Sequence, residues 1–349
     1  MSDKSQSNYR RVTLASRPTG SPTRENFKIT EAENRKLRDG EVTVKISHFS
    51  LDPYMRGRMD DTPSYAAPVE IGATMEAGAI GAVVETASPD LEIGDWVYGR
   101  MGWAESTIIS GNLLQKVPIS LEPKSLALGV LGMPGFTGWW GLTQYRKPQP
   151  GETILVGAVT GPVGSMVAQL CKLKGLNVIG IAGSEKKCQL AKEMFGVDQC
   201  LNHRDFNSAK DLSKAIKDIA PNGIDIYFEN VGGKVLEATL PRMNQFGRIP
   251  VCGMISWYNE GGLGLSATEG QYSLPRLWSS ILVRKLSVQG FIISDHWSHY
   301  LDFVNQIEPL VRSNKIKYIE DIVDGIDRAP QAFMGLLQGQ NVGKLIVKV

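Results

Sequence analysis

Cysteine and histidine are scarce. The 349 residues hold four of each: Cys171, Cys188, Cys200 and Cys252, and His48, His203, His296 and His299. No cysteine precedes residue 171 and no C-x2-C pair occurs, so the ligand spacing of a zinc cluster or a thioredoxin-type motif is missing. H-E-x-x-H is missing too. We therefore expect no metal site. Few, unpaired cysteines fit a reducing, cytoplasmic compartment, and we read them as buried thiols. An excess of one charge is also lacking. Lys and Arg number 38 against 36 Asp and Glu, a net charge of +2. That balance gives no global electrostatic basis for binding nucleic acid or an anionic membrane. The polar stretch Met1 to Arg11 has no apolar core of the secretory kind. The longest uncharged run, Ser125 to Tyr145, reaches spanning length, but Pro134 and glycines at 129, 132, 135, 138 and 141 make it a poor membrane helix. We expect a buried region broken at Gly132–Gly135.

Glycine, by contrast, is plentiful, with 37 residues. At about 150 residues per domain, a chain of this length suits about two. Residues 1–125 read as a mostly β domain, with Glu41–Ser47 and Gly78–Glu85 as strands and a turn before Trp96–Gly99. From residue 126 strands and helices alternate. Thr153–Ala158, Asn177–Ala182, Gln199–Asn202, Ile224–Phe228, Arg248–Cys252 and Leu286–Ile292 are strands. Val163–Leu173, Glu185–Phe195 and Ala209–Ile219 are helices, the first with Val163, Val167, Leu170 and Leu173 on its apolar side. This alternation predicts an α/β fold: a doubly wound, parallel, six-stranded Rossmann sheet over 126–299. The tail, 300–349, reads as helix, strand, helix and strand, and is expected to return to the first domain, making it discontinuous.

The loop Val159-Thr160-Gly161-Pro162-Val163-Gly164 follows the first of these strands and opens a helix. Gly161, Val163 and Gly164 there suit a pyrophosphate, because backbone N–H groups and a positive helix end face it. Pro162 fits the first helical turn. The second strand ends in Ala182-Gly183-Ser184, without the acid that holds a ribose 2′-hydroxyl in an NAD site. Lys174, Lys187 and Arg204 flank it, so NADP(H) is the expected cofactor. Without zinc ligands, a substrate oxygen has to be polarised by a hydroxyl.

Several further motifs carry a resemblance. They are Leu51-Asp52-Pro53-Tyr54-Met55-Arg56-Gly57-Arg58, Gly132-Met133-Pro134-Gly135-Phe136-Thr137, Glu229-Asn230-Val231-Gly232-Gly233, Cys252-Gly253-Met254-Ile255-Ser256, Tyr258-Asn259 and Asn341-Val342-Gly343-Lys344. In this order they resemble the zinc-independent medium-chain dehydrogenase/reductase superfamily, within it the prostaglandin and alkenal double-bond reductases. The resemblance implies a GroES-like catalytic domain over 1–125 and 300–349, a Rossmann domain over 126–299, and NADPH-dependent reduction of small-molecule α,β-unsaturated carbonyls, curcumin-like enones among them. It also implies a homodimer.

By the same resemblance, Lys174, Gly183 and Ser184 meet the cofactor's 2′-phosphate. His203 stands where the family has a tyrosine on that phosphate, with Arg204 beside it. Asn230, Asn341 and Phe291 match further cofactor contacts, and Thr137 a residue beside the nicotinamide. Tyr258 matches the tyrosine that orients the carbonyl or supplies the proton, Tyr54 a pocket tyrosine, and Tyr65 a residue lining the entrance. Two alternatives stay open at this point: a quinone reductase of the same superfamily, and an NADPH-binding protein without turnover.

Overall fold

The computed structural model describes residues 8–62, 64–118, 120–145, 147–261 and 274–349. The chain opens with β1 (Asn8–Leu14), β2 (Phe27–Glu33), β3 (Glu41–Ser50), the one-turn helix α1 (Met55–Arg58), β4 (Gly78–Thr86), β5 (Trp96–Arg100), β6 (Ser106–Ser110) and β7 (Gln115–Lys116). An alternating run follows: α2 (Met133–Gln144), β8 (Thr153–Val156), α3 (Pro162–Leu173), β9 (Asn177–Ala182), α4 (Glu185–Phe195), β10 (Gln199–Asn202), α5 (Ala209–Ile219), β11 (Ile224–Phe228), α6 (Gly233–Thr239), β12 (Met243–Val251), α7 (Leu274–Arg284), β13 (Ser287–Gly290) and α8 (Tyr300–Arg312). Last come β14 (Glu320–Asp324), α9 (Ala329–Leu337) and β15 (Lys344–Lys348).

These elements form two compact units. The first takes in the described residues up to Gly129, those from Tyr258 to Gly261, and Glu320–Val349. Its larger sheet runs β14-β15-β3-β4-β5-β7, with β6 also on β3, and β1 pairs with β2 apart from it. Trp103 centres the core, stacked on Phe27 at 5.7 Å and Phe49 at 6.0 Å and edge-on to Phe333 at 5.5 Å. Such aromatic pairs add contact energy beyond the area they bury.

The second unit holds Val130–Trp257 and the later described residues up to Ile319. Its six strands are all parallel, in the order β10-β9-β8-β11-β12-β13. The order reverses between β8 and β11, and such a reversal is where doubly wound sheets bind ligands, at the carboxyl ends of the strands. Helix α2 explains the regularly spaced glycines. A Cβ on Gly135 would stand 2.0 Å from the Val130 carbonyl oxygen, one on Gly138 2.9 Å from that of Val163, and one on Gly141 2.6 Å from Phe291. Glycine thus lets α2 lie against α3 and the Phe228–Phe291 pair. No helix among the described residues is long and apolar enough to cross a membrane.

Four expectations change. Residues 300–319 belong to the second unit, because Phe303 packs on Phe136 at 5.5 Å and the Tyr300 hydroxyl donates to the Leu131 carbonyl at 2.6 Å. Leu173 is 52% exposed, since it lies on the last turn of α3, past the covered stripe of Val167 and Leu170. Cys171, Cys188 and Cys200 are buried, but Cys252 is half-buried. The first strand also stops at Val156, two residues early, because Ala158 turns the chain with φ 50°.

Candidate active site

In the second unit the candidate cofactor residues sit on the carboxyl ends of the parallel strands. After β8 the chain bends at Ala158 and enters α3 with Gly161 as its N-cap and Pro162 in its first turn. Gly164 cannot carry a side chain without moving the loop, for a Cβ would stand 2.5 Å from the Ala158 oxygen and 2.8 Å from the Val159 Cα. Helix geometry leaves the first-turn amides of Val163 and Gly164 without an intrahelical acceptor, the donor set an anion needs.

Next to this loop lies the turn after β11. The Glu229 Oε1 accepts from the Tyr227 hydroxyl at 2.8 Å and from the N–H groups of Val231 and Gly232 at 2.6 and 2.9 Å. That fixes Asn230, whose Nδ2 donates to the Gly157 carbonyl at 2.8 Å. Thr137 is buried on α2, and its hydroxyl donates to the Met133 carbonyl at 2.7 Å. Phe291 is buried against Gly141 and Tyr145.

The strand register brings the candidate 2′-phosphate residues together. Leu201 and Asn202 pair with Ile181 and Ala182, so the residues that follow each strand are neighbours. A Cβ on Gly183 would lie 3.5 Å from His203 Nε2 and 3.6 Å from Arg204 Nε. The Ser184 hydroxyl caps α4 by accepting from the Lys187 N–H at 3.3 Å. Burial pushes the His203 imidazole down to about 4, helped by the charges of Lys234, Arg204 and Lys187 and opposed by Asp205.

Lys234, far from this segment in the sequence, thus joins the cluster from α6. Its Nζ donates to the Phe206 carbonyl at 2.6 Å. Its distance along the chain hides it, and no local signal marks it. Lys174 is a correction. It is exposed at the C-cap of α3, the end away from the Gly161 loop. Twelve helical residues separate those ends, about 18 Å at 1.5 Å per residue. β9 then runs back before Ser184 is reached, so Lys187, not Lys174, is the lysine of the cluster.

In the first unit, Tyr54 precedes α1 and is half-buried against the core. Burial holds its phenol well above the usual 10, with Asp52, Glu76 and Tyr98 adding to the effect and Arg100 opposing it. It therefore stays a protonated hydrogen-bond donor. Tyr65 is 48% exposed and lies over Arg58, whose Cζ is 4.4 Å from its ring centre. Tyr258 is buried in the 3₁₀ stretch Ile255–Glu260. Asn341 donates from Nδ2 to the Gly343 carbonyl at 2.9 Å. His48 is half-buried in β3, its Nδ1 2.9 Å from the Ser47 hydroxyl. Among the described residues, no group of three or more His, Cys, Asp or Glu side chains is placed to hold a metal ion.

Two family descriptions match the chain: "N-terminal domain of oxidoreductase" over residues 10–117 and "Zinc-binding dehydrogenase" over 162–307. An NADPH-dependent curcumin reductase of Escherichia coli is 46% identical, covering 97% of this chain and 96% of its own. A 2-alkenal reductase (NADP(+)-dependent) of Nicotiana tabacum is 38% identical over 97% of both chains. Prostaglandin reductase 1 of Rattus norvegicus is 36% identical over 96% and 98%. Among solved structures, that of CurA from Vibrio vulnificus in complex with NADPH superposes with a TM-score of 0.91 at 43% identity, covering 97% and 99%.

Proposed function

Because the chain belongs to the medium-chain dehydrogenase/reductase superfamily, in its prostaglandin and alkenal double-bond reductase group, we propose that its substrates are conjugated enones, curcumin-like dienones among them. It is an NADPH-dependent double-bond reductase. The relative named for curcumin reduction, 46% identical over 97% of this chain, supports the finer substrate.

The residues present fit NADPH. Gly164 keeps the loop open where a Cβ would collide with backbone, and the Val163 and Gly164 amides are left for the pyrophosphate. Ser184, Lys187, His203, Arg204 and Lys234 form the basic, hydroxyl-bearing pocket that a 2′-phosphate needs. Asn230, Phe291 and Asn341 would hold the rest, and Thr137 would border the nicotinamide. When bound, NADPH supplies a hydride to the β-carbon of the enone.

The chain's own residues handle the charge that follows. Negative charge gathers on the carbonyl oxygen as the enone becomes an enolate. The Tyr258 hydroxyl donates to that oxygen, and Tyr54, whose phenol holds its proton, orients the substrate. The α-carbon then takes a proton from Tyr258 or from water. The single observation that carries the cofactor half of this reading is the gathering of Gly183, His203 and Arg204 where β9 and β10 end.

The direct test mixes the protein with NADPH or NADH and a panel of enones, enals and quinones, following loss of the reduced cofactor and identifying the product. The reading expects a saturated ketone and a preference for NADPH. Consumption with quinones only, or with nothing, overturns it.

The His203 position offers a second, independent check. An imidazole that titrates near 4 is neutral when folded but takes up a proton when unfolded below about 6.5. Stability of the free protein therefore falls as pH drops from about 6.5 toward 4, and is unaffected by this group above that range. A phosphate beside it reverses the field. NADP+ should move the His203 titration, followed by NMR, upward by about 1–3 pH units. NAD+, lacking the 2′-phosphate, should leave it in place. Equal effects of the two nucleotides would place the phosphate elsewhere.

The assembly we propose is a homodimer joined through the second unit. Among the described residues β13 ends the sheet, and Val288 on it, Phe246 on β12, and Trp278, Leu282 and Val283 on α7 are all exposed apolar side chains. An unpaired edge strand flanked by such residues suits a second copy. Sedimentation equilibrium should give twice the 38.2 kDa chain mass; the single mass would refute it.

A further inference from the structure

The Tyr258 hydroxyl has to meet a substrate oxygen at one place, and the segment that leads the chain to it is fastened at every step. The turn after β11 offers three successive carbonyls. That of Glu229 accepts from the N–H groups of Cys252 and Gly253 at 2.9 and 3.2 Å, that of Asn230 from Ile255 at 3.3 Å, and that of Val231 from Ser256 at 3.0 Å. The Ser256 hydroxyl donates to the Val231 carbonyl as well, at 2.5 Å. Gly232, with φ 75°, leaves room for the Trp257 ring, which a Cβ there would meet at 2.9 Å. Residues 252–257 thus follow the turn, and the next residue is Tyr258.

One oxygen holds that turn. Glu229 is 2% exposed, and its Oε1 receives the Tyr227 hydroxyl and the N–H groups of Val231 and Gly232. A trans peptide is planar, with N–H and C=O pointing opposite ways. Gripping the Val231 N–H therefore aims the Asn230 carbonyl, and gripping the Gly232 N–H aims the Val231 carbonyl. These are the two that accept from Ile255 and Ser256. The other carboxyl oxygen, Oε2, is buried and has no hydrogen-bond partner among the described residues. Burial pushes the carboxyl up, against the bonds from Gly232, Val231 and Tyr227, and so toward the neutral form that glutamine imitates.

We infer that Glu229 is a positioning residue for the reduction: by gripping two peptide planes from inside the turn, it sets the track of residues 252–257 and through it the place of the Tyr258 hydroxyl. The inference rests on the reading of Tyr258 as the donor to the enone oxygen, and adds the group that aims it. What the turn requires at this point is an acceptor oxygen rather than a charge.

The test is a mutant cycle on kcat for one enone, with the dissociation constant for NADPH measured alongside. Glu229→Leu should lower kcat by about 10²-fold, the scale of a displacement of about 1 Å. NADPH should still bind within about fivefold, because the Gly161 loop and the His203 pocket are untouched. Glu229→Gln, which keeps the oxygen, should lose no more than about fivefold in kcat. In a Tyr258→Phe background, Glu229→Leu should cost less than about threefold more, since the hydroxyl that it aims is already gone. If Glu229→Leu does not fold, Ser256→Ala takes its place in the cycle, at an exposed position. It should lower kcat about fivefold with Tyr258 present and leave it unchanged in Tyr258→Phe.

A full second loss in the Tyr258→Phe background, a loss of NADPH affinity with kcat kept, or a Glu229→Gln protein as impaired as Glu229→Leu would overturn the inference and leave the reductase reading intact. Normal turnover by Tyr258→Phe would overturn the role of Tyr258 and this inference together. Failure of the unaltered protein with every enone would overturn the reductase reading itself.

Discussion

In Tyr258→Phe, kcat for an enone is expected to fall by about 10²–10³-fold, the usual loss when one donor to a developing oxyanion is removed. The dissociation constant for NADPH, read from quenching of tryptophan fluorescence, should change by less than about twofold, since only an oxygen is deleted. The ring itself is 9% exposed, and phenylalanine fills the same space, so thermal stability should hold. A variant that turns over at the normal rate would strip Tyr258 of its role and pass the oxyanion to Tyr54. Because the Tyr54 phenol is held well above 10 by burial and by Asp52, it can donate a hydrogen bond but is a reluctant acid.

Lys344→Met should cost the first unit a large share of its stability. Lys344 is 2% exposed, and its Nζ donates to the Leu51 carbonyl at 2.9 Å and to Asp52 Oδ1 at 2.5 Å. The Ser50 hydroxyl donates to the other Asp52 oxygen. Glu320, held by the Ser125 hydroxyl at 2.8 Å, is another acid that the Lys344 charge serves. Removing the cation strands a buried carboxylate, a loss of about 3–5 kcal/mol. The melting temperature should drop by on the order of 10 °C. Activity should fall with it, because the Leu51–Asp52 tether leads directly into Tyr54. Adding Asp52→Asn to Lys344→Met removes the stranded charge and should restore most of the melting temperature. A double variant as unstable as the single one would mean that packing, not charge, sets the cost.

The sequence made the second unit legible in detail. β9, α4, β10, α5 and β11 begin and end where the pattern puts them, since short apolar runs alternate with amphipathic helices and Ser184 and Ser208 mark two helix starts. β1, β2 and β6 were not foreseen. β2, Phe27–Glu33, is mostly polar and, among the described residues, pairs only with β1, so little burial shapes its pattern. The candidate site divides the same way. Residues on one local motif, such as Gly161 and Gly164, could be read directly. Lys174 misled because closeness in sequence to Ser184 hides a helix end and a whole strand between them. Lys234 and the stacking of Tyr65 on Arg58 needed the fold, since each depends on side chains brought together across turns.

β15 lies inside the first unit's sheet, second from the β14 edge and paired with β3 on its other side. Leu345 and Val347 on it are core residues together with Val42, Val44 and Phe49 of β3. Yet a ribosome makes β3 before the whole of the second unit's sheet, β8 to β13, and β15 after it. The nascent chain must therefore carry an unfinished sheet, its apolar face open to chaperones, while the second unit has all its strands in hand and can fold first. Premature termination a few codons before Lys344 would leave β3 without the strand that joins it to β14, a fragment fit for degradation even with the second unit's sheet complete.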